Sequence, residues 1–203
     1  MSSAWKDWHL RKKEIVEPEA SKLNKLFKRS NVKKLDIGCG AGRHTVYFAR
    51  KGFEVYGFDE DEETLERAKK LLESKNLRGE LRAWDMTTPL PYQDVFFDAV
   101  IAVRVIHHTR MSNIMKIVRE INRVLKNGGF LFLQVPSYES ETFDSGTIWD
   151  GPGTLIARGG PEKGVLHHFF RRNELLEIFS GYVVRELHSS SDHYGGYCLI
   201  AQK

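Results

Sequence analysis

The stretch Val32-Lys33-Lys34-Leu35-Asp36-Ile37-Gly38-Cys39-Gly40-Ala41-Gly42 constrains this chain more than any other. It predicts a short strand over 33–37, a turn of three alternate glycines, and a helix over 44–51. Glycines at this spacing let the backbone turn tightly and leave no Cβ between main chain and ligand. The helix behind the turn points its free N–H groups at whatever sits above it. Such a strand–turn–helix unit is a building block of open α/β sheets, and the rest of the pattern extends it.

Strands are expected over 54–58, 79–84, 97–103 and 130–135, with helices between them over 60–73 and 112–125. Phe97 to Val103 is almost wholly apolar, as suits a strand covered on both faces of a parallel sheet. Alternation of this kind predicts an α/β fold, a Rossmann-like doubly wound sheet, mostly parallel. A helix over 172–179 and strands over 182–187 and 197–202 close the chain. Residues 137–166 are rich in Gly, Ser, Thr and Pro and read as one long irregular loop. With its aromatics it is expected to wall a substrate site, a lid over 137–170. Residues 1–30 read as an N-terminal helical cap on a single domain, 1–203, with Pro18 in the first turn of a helix over 19–27.

Ligands of open α/β sheets bind at the carboxyl ends of the strands. Three successive strand ends here carry the glycine turn, Asp59, and Asp85-Met86. Asp59 follows Gly38 by 21 residues, a spacing at which a carboxylate accepts from both hydroxyls of a ribose. Asp85 suits an exocyclic amine, with Met86 and Phe58 as apolar flanks. A dinucleotide fingerprint would require glycine at position 43, where Arg43 stands, and Asp36 ahead of the turn would repel a pyrophosphate. The same carboxylate attracts an α-amino group. The sign of that charge favours S-adenosylmethionine over NAD.

With these residues in place, the chain resembles the class I S-adenosylmethionine-dependent methyltransferases from about residue 32 to the C-terminus. The resemblance is carried by 35–42, by Val55-Tyr56-Gly57-Phe58-Asp59 and Trp84-Asp85-Met86, by Leu90-Pro91-Tyr92 with Phe97-Asp98-Ala99-Val100, by His107-His108, and by Arg123-Val124-Leu125-Lys126-Asn127-Gly128-Gly129. It implies a seven-stranded sheet with an antiparallel last strand, 197–202. It implies that Gly38, Gly40 and Gly42 line the methionine portion, Asp59 the ribose, and Asp85 with Met86 the adenine, with Asp36, Cys39 and Glu60 also in the cofactor site. Ala102 and Val103 would lie near the methyl donor, and S-adenosylhomocysteine would be the product. Gly42 to Ala49 is similar to the compact small-molecule methyltransferases, including the tellurite-resistance type. No Asn/Asp-Pro-Pro-Tyr/Phe follows the fourth strand and no Pro-Cys pair is present, so the resemblance does not extend to the DNA amino- or C5-methylating types.

Candidate catalytic groups are His107 and His108, which follow the fourth strand; either titrates near neutrality and can take a proton, or both simply shape the loop. Arg43, Arg104, Tyr138, Trp149, His167 and His168 are candidates for contact with the acceptor. Trp5, Trp8 and His9 either fold over the cofactor or pack on the domain. Two cysteines, Cys39 and Cys198, form neither a disulfide framework nor a metal-ligand cluster, and no metal site is expected.

Residues 1–34 hold ten Lys/Arg against four Asp/Glu, while the remainder holds 21 against 23. That basic segment reads as a solvated helix face; RNA is the alternative partner, and a small-molecule acceptor is favoured. A cofactor-binding accessory protein without activity is the reading from another class. No apolar run approaches the roughly 20 residues of a membrane span, and no signal-type segment stands at the start, so a cytoplasmic location is expected. These motifs encode neither an acceptor nor an oligomeric state.

Overall fold

The computed structural model describes residues 18–27, 31–139, 148–158, 162–190 and 195–203. Its centre is a seven-stranded sheet of β1 (Lys33–Ile37), β2 (Glu54–Asp59), β3 (Glu80–Ala83), β4 (Phe97–Val103), β5 (Leu125–Val135), β9 (Val183–Ser189) and β10 (Tyr197–Gln202). The strand order is β3-β2-β1-β4-β5-β10-β9. The strands from β3 to β5 pair in parallel. β10 runs antiparallel to both β5 and β9, so the last strand is inserted beside the edge rather than forming it. Strand order reverses between β1 and β4, which opens a crevice at their carboxyl ends.

Helices α2 (Arg43–Arg50), α3 (Glu62–Ser74), α4 (Met111–Val124) and α5 (Arg172–Ile178) cover the sheet. Side-chain alternation along the strands sorts the core into two clusters. Leu35, Ile37, Val100, Ala102, Leu131 and Leu133 pack on one face with Ile114, Ile117 and Ile121 of α4. Ile101, Val103, Phe132 and Ile200 pack on the other with Phe48 of α2 and Leu23.

The parity of β1 also buries two charged residues on the α2 face. Lys34 is only 1% exposed. Its Nζ donates to Asn24 Oδ1 at 3.1 Å and stands 3.6, 4.1 and 5.2 Å from the ring centres of Phe53, Phe48 and Phe27. The rings' negative faces offset part of the lost hydration, yet burial still pulls the ammonium down to about 7. Its place in the sequence suggested a solvated basic segment; the strand's pleat made it a core residue.

Other differences are local. The first described helix, α1, spans Pro18–Lys22 and tightens into a 3₁₀ turn over Leu23–Leu26. β5 starts at Leu125 rather than 130. Its register against β4 shifts after Phe97↔Leu125, so the Asn127-Gly128-Gly129 turn bulges out of a longer strand. Residues 137–166 are not one irregular loop. They include β6 (Ile148–Trp149) and β7 (Thr154–Ile156), which with β8 (Leu166–His168) form a small antiparallel sheet with β7 in the middle. Strands of two or three residues are too short to show a period in sequence. Trp5, Trp8 and His9 lie outside the described residues.

Candidate active site

The glycine turn sits at the crevice, and its glycines answer to different neighbours. Gly38 has φ +62°, and a Cβ there would stand 2.2 Å from Val105 Cγ2. At Gly42 a Cβ would meet Ala68 of α3 at 2.9 Å. At Gly40 it would meet nothing within 4 Å. Two glycines are therefore demanded by packing, and Gly40 leaves a bare stretch of main chain facing open space. Its N–H donates to Asp59 Oδ2 at 2.9 Å, while Asp59 Oδ1 accepts from the Asp61 N–H at 3.1 Å. The end of β2 is thereby locked against the turn.

Two hollows of about 120 and 280 Å³ meet here, and both are lined by Gly38, Asp59, Val105 and His108. The first adds Cys39, Gly40, Arg43, Val103 and Arg104. The second adds Phe58, Glu60, Trp84, Asp85, Met86 and Val165. The result is one bilobed cleft across the switch point, with cationic side chains at one end and carboxylates at the middle and the other. Burial raises Asp59 above the usual carboxylate range, and burial with the neighbouring Asp59 and Asp85 does the same to Glu60. Asp85 Oδ1 accepts from the backbone N–H and hydroxyl of Thr87, both at 2.8 Å, which fixes the loop after β3. Arg104 holds φ +53°, a conformation that β-carbons oppose. Its N–H is pinned to the Gln134 carbonyl at 2.9 Å as the chain leaves β4.

Not every predicted residue reaches the cleft wall. Asp36 is 4% exposed and lies beneath the turn, where its Oδ2 accepts from the Thr45 hydroxyl at 2.7 Å. Burial lifts its carboxyl to about 6, against the opposing effects of Thr45 and Arg43. Gly42 and Ala102 sit behind the lining. Cys39 is buried and burial pushes its thiol up, which makes it unreactive rather than nucleophilic. His108 lines both lobes, whereas His107 is buried behind it with ring centres 3.9 Å apart.

The second histidine pair is split by the pleat of β8. His167 turns toward His108, ring centres 5.0 Å apart. His168 turns away, bonded through Nδ1 to the Thr154 hydroxyl at 2.9 Å with Glu174 at 3.3 Å from Nε2. Tyr138 also leaves the cleft: it lines a separate hollow with Phe169 and Asn173, and the Arg171 guanidinium lies 3.9 Å over its ring. Trp149 falls on β6. Val105 and Val165 are cleft residues the motifs did not indicate. Val105 stands two positions beyond β4 and was within reach of a closer reading. Val165 has no local signal, since only the docking of β8 brings it there.

The comparisons agree with this architecture. Residues 35–133 match a family model described as a methyltransferase domain. Over that stretch the chain is similar to methyltransferase domains. Among curated proteins it is 34% identical over 113 residues to the uncharacterized methyltransferase YcgJ of Bacillus subtilis, across 56% of this chain and 44% of that one. It thus spans about half the length of the curated relatives it matches. Among solved structures, a SAM-dependent methyltransferase of Methanosarcina mazei superposes with TM-score 0.76 at 23% identity, covering 89% of this chain and 96% of the other. The 1,6-didemethyltoxoflavin-N1-methyltransferase of Burkholderia thailandensis, solved with 1,6-didemethyltoxoflavin and S-adenosylhomocysteine, gives 0.75 at 19%, covering 99% and 84%. No helix among the described residues is long and apolar enough to cross a membrane.

Proposed function

We propose that the chain transfers a methyl group from S-adenosylmethionine to a small-molecule acceptor. The observation that supports this most is the bilobed cleft itself, whose lobes join at Gly38, Asp59, Val105 and His108. The bare backbone at Gly40 suits the methionine portion, the Asp59 carboxylate a ribose diol, and the slot beside Met86, Trp84 and Asp85 a flat amine-bearing ring. The carboxylates of Asp59, Glu60 and Asp85 attract a cation, and Arg43 with Arg104 at the far end suits a carboxylate. When bound, the cofactor supplies an electrophilic methyl group on a sulfonium.

The residues of the chain then have few tasks. Val103, Val105 and Val165 exclude water. The rigid ends of β1 and β4 hold the partners in line, and alignment of this kind contributes roughly 7–11 kcal/mol of a barrier. His108, at the junction of the lobes, would face the acceptor. Val165, from the segment carrying β8, closes the second lobe, which favours a compact acceptor over a polynucleotide. The B. thailandensis neighbour acts on such a compound.

Asp59→Ala tests the cofactor assignment. S-adenosylmethionine affinity measured by calorimetry should fall by about 1.5–3 kcal/mol, the scale of hydrogen bonds to a charged group. Unchanged affinity would remove the ribose assignment. A tRNA-binding titration discriminates the acceptor class: affinity that falls steeply with salt would favour RNA over a small molecule.

A further inference from the structure

His107 and His167 stand sixty residues apart in sequence, and a single backbone contact unites them. The His168 N–H donates to the His107 carbonyl at 2.8 Å, fixing β8 against the loop after β4. Alternation along β8 then sends His167, and not His168, to the first pair. The ring centres of His107 and His167 lie 5.5 Å apart. One ring nitrogen from each of His107, His108 and His167 can be chosen so that all three lie within 4.8 Å of one another.

We propose that these three imidazoles bind a divalent transition-metal ion of the zinc class at the wall of the cleft. Three nitrogens at about 2.0–2.1 Å from such an ion stand about 3.4 Å apart, so ring rotations on the order of 1 Å complete the set. The donors suit the ion: neutral imidazole is the ligating form, and nitrogen ligands select zinc, nickel, copper or iron over calcium and magnesium. Burial lowers both His107 and His167, which favours their neutral form.

The second observation is an orphan. Nδ1 of His107 is fully buried and accepts or donates no hydrogen bond. A polar atom stranded that way is costly, and metal coordination is one means of satisfying it. Glu162 Oε2, 3.4 Å from His167 Nε2, supplies a carboxylate of the sort that orients ligating imidazoles. No thiolate joins the set, since Cys39 and Cys198 are not among the three. A three-histidine set leaves a coordination position open, and His108 carries that position to the junction of both lobes. The open position takes a hydroxyl, thiol or amine donor. Only its use in orienting an acceptor rests on the methyl-transfer reading; the ion's binding does not.

The test uses untagged full-length protein stripped with a chelator and titrated with zinc alone by calorimetry. One ion should bind per chain with Kd below about 1 µM. His167→Ala should weaken it by at least ~100-fold, while His188→Ala, a surface histidine outside the cluster, should leave it unchanged. Absence of saturable one-to-one binding, or equal binding by His167→Ala, overturns the site. Should that variant not fold, zinc-edge X-ray absorption of the wild type decides: three imidazoles support the site and fewer overturn it. S-adenosylmethionine calorimetry on the same samples reports on the cofactor reading separately.

Discussion

Alanine at Gly40 and alanine at Gly38 should separate stability from ligand binding. Both positions lie in the left-handed region, with φ +52° and +62°. Placing a Cβ there costs roughly 1–2 kcal/mol whatever the surroundings. At Gly40 nothing more is added, because no atom lies within 4 Å of the new carbon. At Gly38 the carbon would stand 2.2 Å from Val105 Cγ2 and 2.8 Å from its Cβ, well inside the roughly 3.5 Å carbon atoms prefer. Valine is stiff about χ1 and cannot swing aside freely, so overpacking adds about 1–3 kcal/mol. For a domain of this size each kcal/mol moves the melting temperature by about 2–4 °C. Gly40→Ala should therefore melt about 2–8 °C below wild type and Gly38→Ala about 4–20 °C below. Binding should rank the other way relative to fold damage. The Gly40→Ala methyl enters the space reserved for ligand and should raise the Kd for S-adenosylmethionine at least about tenfold, or 1.4 kcal/mol. Differential scanning calorimetry of the free protein and titration calorimetry of the cofactor read the two effects. If Gly40→Ala costs as much stability as Gly38→Ala, or binds cofactor as wild type does, the bare-backbone argument at Gly40 is wrong.

Lys34 makes the fold pH-sensitive. Its native value of about 7 lies below the usual 10.5, so between those limits the unfolded chain holds a proton the native chain lacks, and stability rises with pH. Below pH 7 the cost of the buried charge is present in full. Relative to Lys34→Met, wild type should gain on the order of 2 kcal/mol between pH 7 and pH 9 in urea unfolding; a gap independent of pH would contradict the burial account. Asp36, lifted to about 6, and the raised Asp59 predict a second trend. A cationic ligand binds better once these carboxyls ionise, so S-adenosylmethionine affinity should strengthen from pH 5 to pH 7, and a flat profile would argue against their electrostatic role.

Much of the parallel half of the sheet was legible because its physics is local. The span of β4 was read as 97–103 and is observed there, since a strand buried on both faces must be apolar along its whole length. The end of β2 at Asp59 was visible from the chain turning polar where the sheet stops, whereas β3, expected over 79–84, ends at Ala83, two residues ahead of Asp85. The small sheet of β6, β7 and β8 was not visible, because its strands are held by pairing with one another rather than by a pattern of their own. Tyr138 and His168 were grouped with the cleft by nearness in sequence, and pleat and docking turned them elsewhere. Lys34 looked like one more surface cation.

What the sequence alone determined is the ligand end of the site: a turn with glycine at 38, 40 and 42, Arg43 where a dinucleotide turn would need glycine, and acids at the following strand ends. Those features act through the backbone within a few residues of themselves. Tertiary structure decided what stands opposite. It brought Val165 to the wall of the second lobe, put Val105 over Gly38, buried Asp36 under the turn, and brought His167 to His107 and His108. Val165 and His167 arrive through the docking of β8 against the loop after β4, where the His168 N–H meets the His107 carbonyl, a contact made across sixty residues and therefore absent from any local window of the chain.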